Sequence, residues 1–207
     1  MSSYVEIANA AATTVGTAAR LTAPGDDTVL GRAVASVWDI ERLAALRDGA
    51  WNFAMRRANL PALAEAPKHG FTTRFQLPAD CLRLIEIYDL HRDHWQLEGR
   101  AINADMSGPL RIRYLADIEE PAEFDPTFAK AFSLRLASAI GNRIAGSAFK
   151  EELTLEKYRK ALADARMVDA IENPSIEQAE SSWIEARWYG SAADNPSYDY
   201  GFGPSGY

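Results

Sequence analysis

The spacing of the apolar residues changes twice along this chain, and that change limits the folds open to it. Over residues 30–50, Val34, Val37, Trp38, Leu43 and Leu46 fall near a 3.6-residue repeat, which gives a helix one apolar face. Gly49 reads as its fraying end. From Phe71 the repeat shortens to two. Phe71-Thr72-Thr73-Arg74-Phe75-Gln76-Leu77 alternates as a strand does, and residues 82–88 alternate less cleanly. Residues 95–102 read as two short strands around Gly99, and Leu110-Arg111-Ile112-Arg113-Tyr114-Leu115 alternates apolar with basic. Helix returns at Asp125, a capping residue followed by Pro126, which suits a first turn. Phe128, Phe132, Leu136, Ile140 and Ile144 then recur at four-residue steps, among many small residues from Ala129 to Gly146. Small side chains let backbones approach, so this helix is expected to be packed on more than one side.

The class expected is α+β, mainly α. A helical domain of residues 1–70 and 118–174 is interrupted by a small antiparallel β-module of residues 71–117 and followed by an extended tail of residues 175–207. A short Ala-rich helix opens the chain, with Val5, Ala8 and Ala12 on one side, and Thr22-Ala23-Pro24-Gly25-Asp26-Asp27 forms a turn. A last long helix is expected over residues 150–171, with Leu155, Tyr158, Leu162, Ala165 and Val168 inward and Asn173-Pro174 ending it. Trp51 and Phe53, large aromatics beside Arg56 and Arg57, are expected in the core.

Four apparent motifs carry little chemistry. His91-Arg92-Asp93 spells a kinase triplet, but no nucleotide-binding lysine motif precedes it and no Asp-Phe-Gly follows. His91 and His94, with Asp89 and Asp93 nearby, lack a third and fourth ligand at defined spacing, so no metal is expected there. Asn103-Ala104-Asp105-Met106-Ser107-Gly108 opens like a calcium loop, yet Tyr114 stands where a bidentate Glu belongs; a polar hairpin turn explains it better. Gly201-Phe202-Gly203-Pro204-Ser205-Gly206 has the letters of a dinucleotide fingerprint without a following helix. Cys81 reads as a small buried apolar residue, and Glu119-Glu120 and Glu151-Glu152 as solvated carboxylates. No catalytic residue, metal ligand or cofactor site is assigned, and the chain is not read as an enzyme.

Charge narrows the partners. The formal net charge is −7, from 22 basic and 29 acidic residues, which argues against tight binding along nucleic acid. No apolar run has the length of a membrane span, the first residues lack a signal-peptide layout, and one cysteine excludes an intrachain disulfide. A soluble protein of a reducing cytoplasm is expected. The last residues are rich in Gly, Pro, Ser and Tyr, a composition that predicts a tail mobile in the free protein. Its Trp183, Trp188, Tyr189, Tyr198, Tyr200, Phe202 and Tyr207 are the candidate partner-binding residues, because aromatics bury large area at modest entropic cost.

Four stretches, taken in order, resemble one family. They are Trp51-Asn52-Phe53-Ala54-Met55-Arg56-Arg57-Ala58, with Leu63-Ala64 after it; Phe75-Gln76-Leu77-Pro78-Ala79-Asp80-Cys81-Leu82-Arg83-Leu84; Leu110-Arg111-Ile112-Arg113-Tyr114-Leu115 running into Pro121-Ala122-Glu123-Phe124-Asp125-Pro126-Thr127-Phe128; and Leu134-Arg135-Leu136-Ala137. Over residues 33–170 the set is similar to the tail tubular protein A family, the head-to-tail adaptor (connector) proteins of short-tailed bacteriophages. The resemblance implies a homo-oligomeric ring of about twelve copies between the portal protein and a downstream tail or nozzle protein, with DNA passing through the lumen. It implies a virion protein of the tail or neck, assembled in the host cytoplasm. Two rivals stand beside it. One is a small enzyme with its site near His91, His94 and Asp105; the other is a nucleic-acid-binding protein using Arg56, Arg57, Arg74, Arg83, Arg111 and Arg113.

Overall fold

The computed structural model describes residues 2–88 and 90–172. Among the described residues four helices and six strands make an α+β architecture weighted toward helix. The first helix, α1 (Tyr4–Val15), starts at Ser3, whose hydroxyl accepts from the Glu6 N–H while the Glu6 carboxylate accepts from the Ser3 N–H. It ends at Gly16, whose φ of 86° is left-handed and favours glycine. The second helix, α2 (Val29–Arg47), is capped by Thr28. Asp125 caps α3 (Pro126–Ala145) through the Thr127 and Phe128 N–H groups, with Pro126 in the first turn, as the sequence predicts. The last helix is α4 (Glu151–Glu172).

The centre of the helical layer is α3, which packs against α1, α2 and α4. Its small residues make that enclosure feasible: Ala129, Ala131, Ala137 and Gly141 are buried along it. At Gly141 a Cβ would come within 2.3 Å of the Phe149 ring, so the turn into α4 depends on that missing atom. An aromatic chain binds the layers together. Tyr4 of α1 lies 4.1 Å from Trp38 of α2, and Trp38 meets Phe132 of α3 edge-on at 5.0 Å. Phe128 takes Trp51 edge-on at 5.0 Å and Phe124 at 5.1 Å. Trp51 is 1% exposed, as expected of a core residue, whereas Phe53 is half-buried against that core.

The strands differ from expectation in two ways. They begin before residue 71: β1 (Met55–Leu60) lies in a stretch assigned above to the helical domain. Its sequence, with Arg56 and Arg57 adjacent, has no two-residue alternation to announce it, and only pairing with a distant partner makes it a strand. Nor is there one module. The strands β2 (Thr73–Gln76), β3 (Cys81–Ile87), β4 (Trp95–Glu98), β5 (Ala101–Ala104) and β6 (Leu110–Ala116) divide into two antiparallel three-stranded sheets, β1-β6-β3 and β2-β5-β4. Of residues 103–108, expected as a hairpin turn, Asn103 and Ala104 end β5 and the rest begin the connection from one sheet to the other. The weaker alternation of β3 has a cause: its register against β6 shifts between Cys81 and Arg83 and again between Leu84 and Glu86. On β6, Leu110, Ile112 and Tyr114 face the core as the pattern requires.

Two substitutions separate cap from core. Phe128→Ala is expected to cost about 3–5 kcal/mol and Asp125→Ala about 1 kcal/mol, read from urea denaturation midpoints at unchanged slope.

Candidate assembly interface

The end of α2 is the joint on which the surrounding surfaces are hung. A helix leaves its last carbonyls without partners, and a left-handed glycine commonly turns back to satisfy them. Here Asp48 stays right-handed, and side chains from other elements arrive instead. The Trp51 indole N–H donates to Ala45 O at 3.2 Å. Arg83 of β3 donates to Arg47 O and Gly49 O at 3.2 and 3.0 Å, and Arg166 of α4 donates to Asp48 O. Gly49, read above as a fraying end, is buried and held; a Cβ there would meet the Trp51 ring at 2.5 Å.

The Asp48 side chain extends the joint. Its carboxylate accepts from Arg135 at 2.9 Å and from the Tyr158 hydroxyl at 2.5 Å. Arg135 also donates to Glu41 at 2.6 Å and to the Tyr158 oxygen at 3.0 Å, and its guanidinium lies 5.5 Å from the centre of the Tyr158 ring. Three helices are thus tied by one guanidinium. Burial, then the hydrogen bond to Asp48, pushes the Tyr158 hydroxyl up to about 12. A second arginine, Arg42 of α2, is buried and bonded to the Asp117 carboxylate and to Ile118 O, fixing the chain as it leaves β6. Further out, Asn52 N–H donates to Asp169 of α4 at 2.8 Å.

The arginines of the nucleic-acid rival are divided among different tasks. Arg56 pairs with Glu123 at 3.2 Å, and Arg113 lies 3.3 Å from Glu86. Arg83 is engaged at the α2 end. Arg57 stands directly opposite Arg113 in the β1–β6 register. Arg74 lines a cleft with Glu98 and Asn103 in the second sheet.

The residues of the enzyme rival come close in part. Asp105 N–H donates to His94 O at 3.1 Å, and the Asp105 carboxylate accepts from Thr72 N–H at 3.1 Å. The His91 ring meets Asp93 at 3.1 Å on an exposed turn between β3 and β4. Among the described residues no three of His, Cys, Asp and Glu converge as metal ligands would. Burial pushes the Cys81 thiol up, which opposes a thiolate.

What the surface does offer is apolar side chains on the outer faces of helices. Ile40 of α2 is 70% exposed, and on α4 Met167 and Ile171 are 66% and 69% exposed. Val168, expected inward, is also exposed at 37%, while Thr154 lies buried beside Tyr158 and Ala165. Ile40, Met167 and Ile171 are out of phase with the inner stripes of their helices, a signal present in the sequence, whereas Val168 is in phase and exposed all the same. The tail residues Trp183, Trp188, Tyr189, Tyr198, Tyr200, Phe202 and Tyr207 lie outside the described residues. Among the described residues no helix is long and apolar enough to cross a membrane. No protein-family model matches the chain, and no curated protein matches it.

Tyr158 supplies a pH test. Its native value stands above the usual value of about 10, so folding favours the protonated hydroxyl. The stability it contributes is complete below pH 10 and is lost as pH rises toward about 12. Tyr158→Phe should remove that component from the alkaline unfolding curve, and Arg135→Ala should cost about 2 kcal/mol at neutral pH.

Proposed function

We infer that the chain is a head-to-tail adaptor of a short-tailed bacteriophage, a structural protein that joins others of its kind in a ring between portal and tail and lets DNA pass through the lumen. The observation that carries this reading is how three of the four family-like stretches meet, while the fourth joins two helices beside them. Trp51 of the first packs on Phe128 of the third; Asp80 of the second accepts from the Tyr114 hydroxyl of the third at 3.2 Å; Arg135 of the fourth ties α2 to α4. Stretches that stand in the family's order and touch one another support the reading.

The surface is compatible with such a role. Apolar side chains stand outward on two different helices, as a ring needs, since its head-to-tail contacts join unlike patches. A net charge of −7 per copy keeps a channel wall from gripping passing phosphates. The aromatic residues from Trp183 to Tyr207 are the proposed anchors on a neighbour or on the portal. The protein would then work in the virion neck and assemble in the host cytoplasm.

The purified protein, alone and mixed with its matched portal, is measured by light scattering and negative-stain microscopy. A ring, free or stacked under the portal, is the expected result; a monomer indifferent to that portal overturns the reading. A chain truncated after Pro174 is expected to stay folded and to fail to join the portal.

A further inference from the structure

On the β1-β6-β3 sheet, Arg57 of β1 faces Arg113 of β6 directly across the strands. Like charges at such a pair cost stability, because opposed side chains on one sheet face are close neighbours. Arg113 has Glu86 of β3 on its other side, at 3.3 Å. Among the described residues no carboxylate stands within ion-pair distance of Arg57. The two arginines border a cleft of 520 Å³ that Asn52, Met55 and the Glu172 carboxylate also line. An anion seated there would convert a repulsive pair into a bridged one.

The same subunit carries the complement on the other side of that sheet. Adjacent residues of a strand point to opposite faces, and Arg56, next to Arg57, reaches Glu123. That places the acidic loop after β6 on the face away from Arg57. In it Asp117 is held by Arg42 and Glu123 by Arg56, while Glu119 and Glu120 are exposed. A cleft with two arginines on one face and an acidic tip on the other are unlike patches of the kind a closed head-to-tail ring joins.

We propose that the Arg57–Arg113 cleft receives the Glu119-Glu120 loop of a neighbouring copy, and that this contact sets the register of the ring. The proposal rests on the adaptor reading and names the contact within it.

Ring formation with the matched portal is followed by light scattering against protein concentration and salt, for the full chain and three variants. Arg57→Glu and Glu119→Lys/Glu120→Lys are each expected to raise the concentration for half-assembly by about tenfold or more. The chain combining all three substitutions is expected to recover most of the loss, since the charges are exchanged rather than removed. Arg57→Glu should melt no lower than the wild type, because it replaces a like-charge pair with an opposite one, which separates assembly from folding. If wild-type rings form and the variants assemble equally well, the contact is wrong while the adaptor reading stands. If the wild type forms no ring with portal, both fall. If Arg57→Glu assembles normally but loses salt-sensitive binding to duplex DNA, the cleft is a phosphate site and the proposal is overturned.

Discussion

A helix that ends without a glycine to turn it back must find donors for its last carbonyls, and the way α2 meets that demand organises much of this protein. The indole of Trp51 and the guanidinium groups of Arg83 and Arg166 come from the following corner, from a strand and from the last helix. Each is fixed in place by giving its protons to the same helix end. Asp48 adds the other sign, gathering Arg135 and Tyr158. The result is a polar joint around which the apolar layers are arranged. Hydrogen bonds that involve an ionised group are the stronger ones, and a buried carboxylate or guanidinium left without its partner is more costly still. Removal of one member therefore disturbs helices that do not otherwise touch closely.

The apolar part of the fold is complementary to that joint. The aromatic chain from Tyr4 through Trp38, Phe132 and Phe128 to Trp51 gives area and shape, while the arginines give direction. Apolar contact alone would tolerate some rotation of α4 about α3. The bonds from Arg166 to Asp48 O and from Asn52 to Asp169 do not, because each has one donor position and one acceptor position.

What could be read from the sequence divides by range. The α3 start was legible because Asp125, Pro126 and the Phe128 series act within a few residues of one another, and β6 because its alternation is local. The strand β1 was not, since its partner lies fifty or more residues away and its own residues, Met55-Arg56-Arg57-Ala58-Asn59-Leu60, have no period of two. Division into two sheets was equally hidden, because β6 neighbours β1 and β3 rather than β5. The roles of Arg42 and Arg135 depend on acids 75 and 94 residues distant, and no local rule marks such pairs. For the candidate interface the outward apolar residues were visible as breaks in phase, and the Arg57–Arg113 opposition became apparent only with the register.

The enclosure of α3 also bears on how the chain is made. Its partners span the sequence: α1 occupies residues 4–15, α2 comes next, and α4 is last. Until α3 has left the ribosome, α1 lacks the helix it packs on most, and Trp38 has Tyr4 beside it but not Phe132. The strand β1 likewise waits for β6. Few of the native contacts can form early, and their closure is entropically slow because the loops are long. The first two helices and β1 must therefore travel without their main partners through much of the synthesis, with alanine-rich and aromatic surfaces open to chaperones, while the local β2-β5-β4 sheet can pair before the hub arrives.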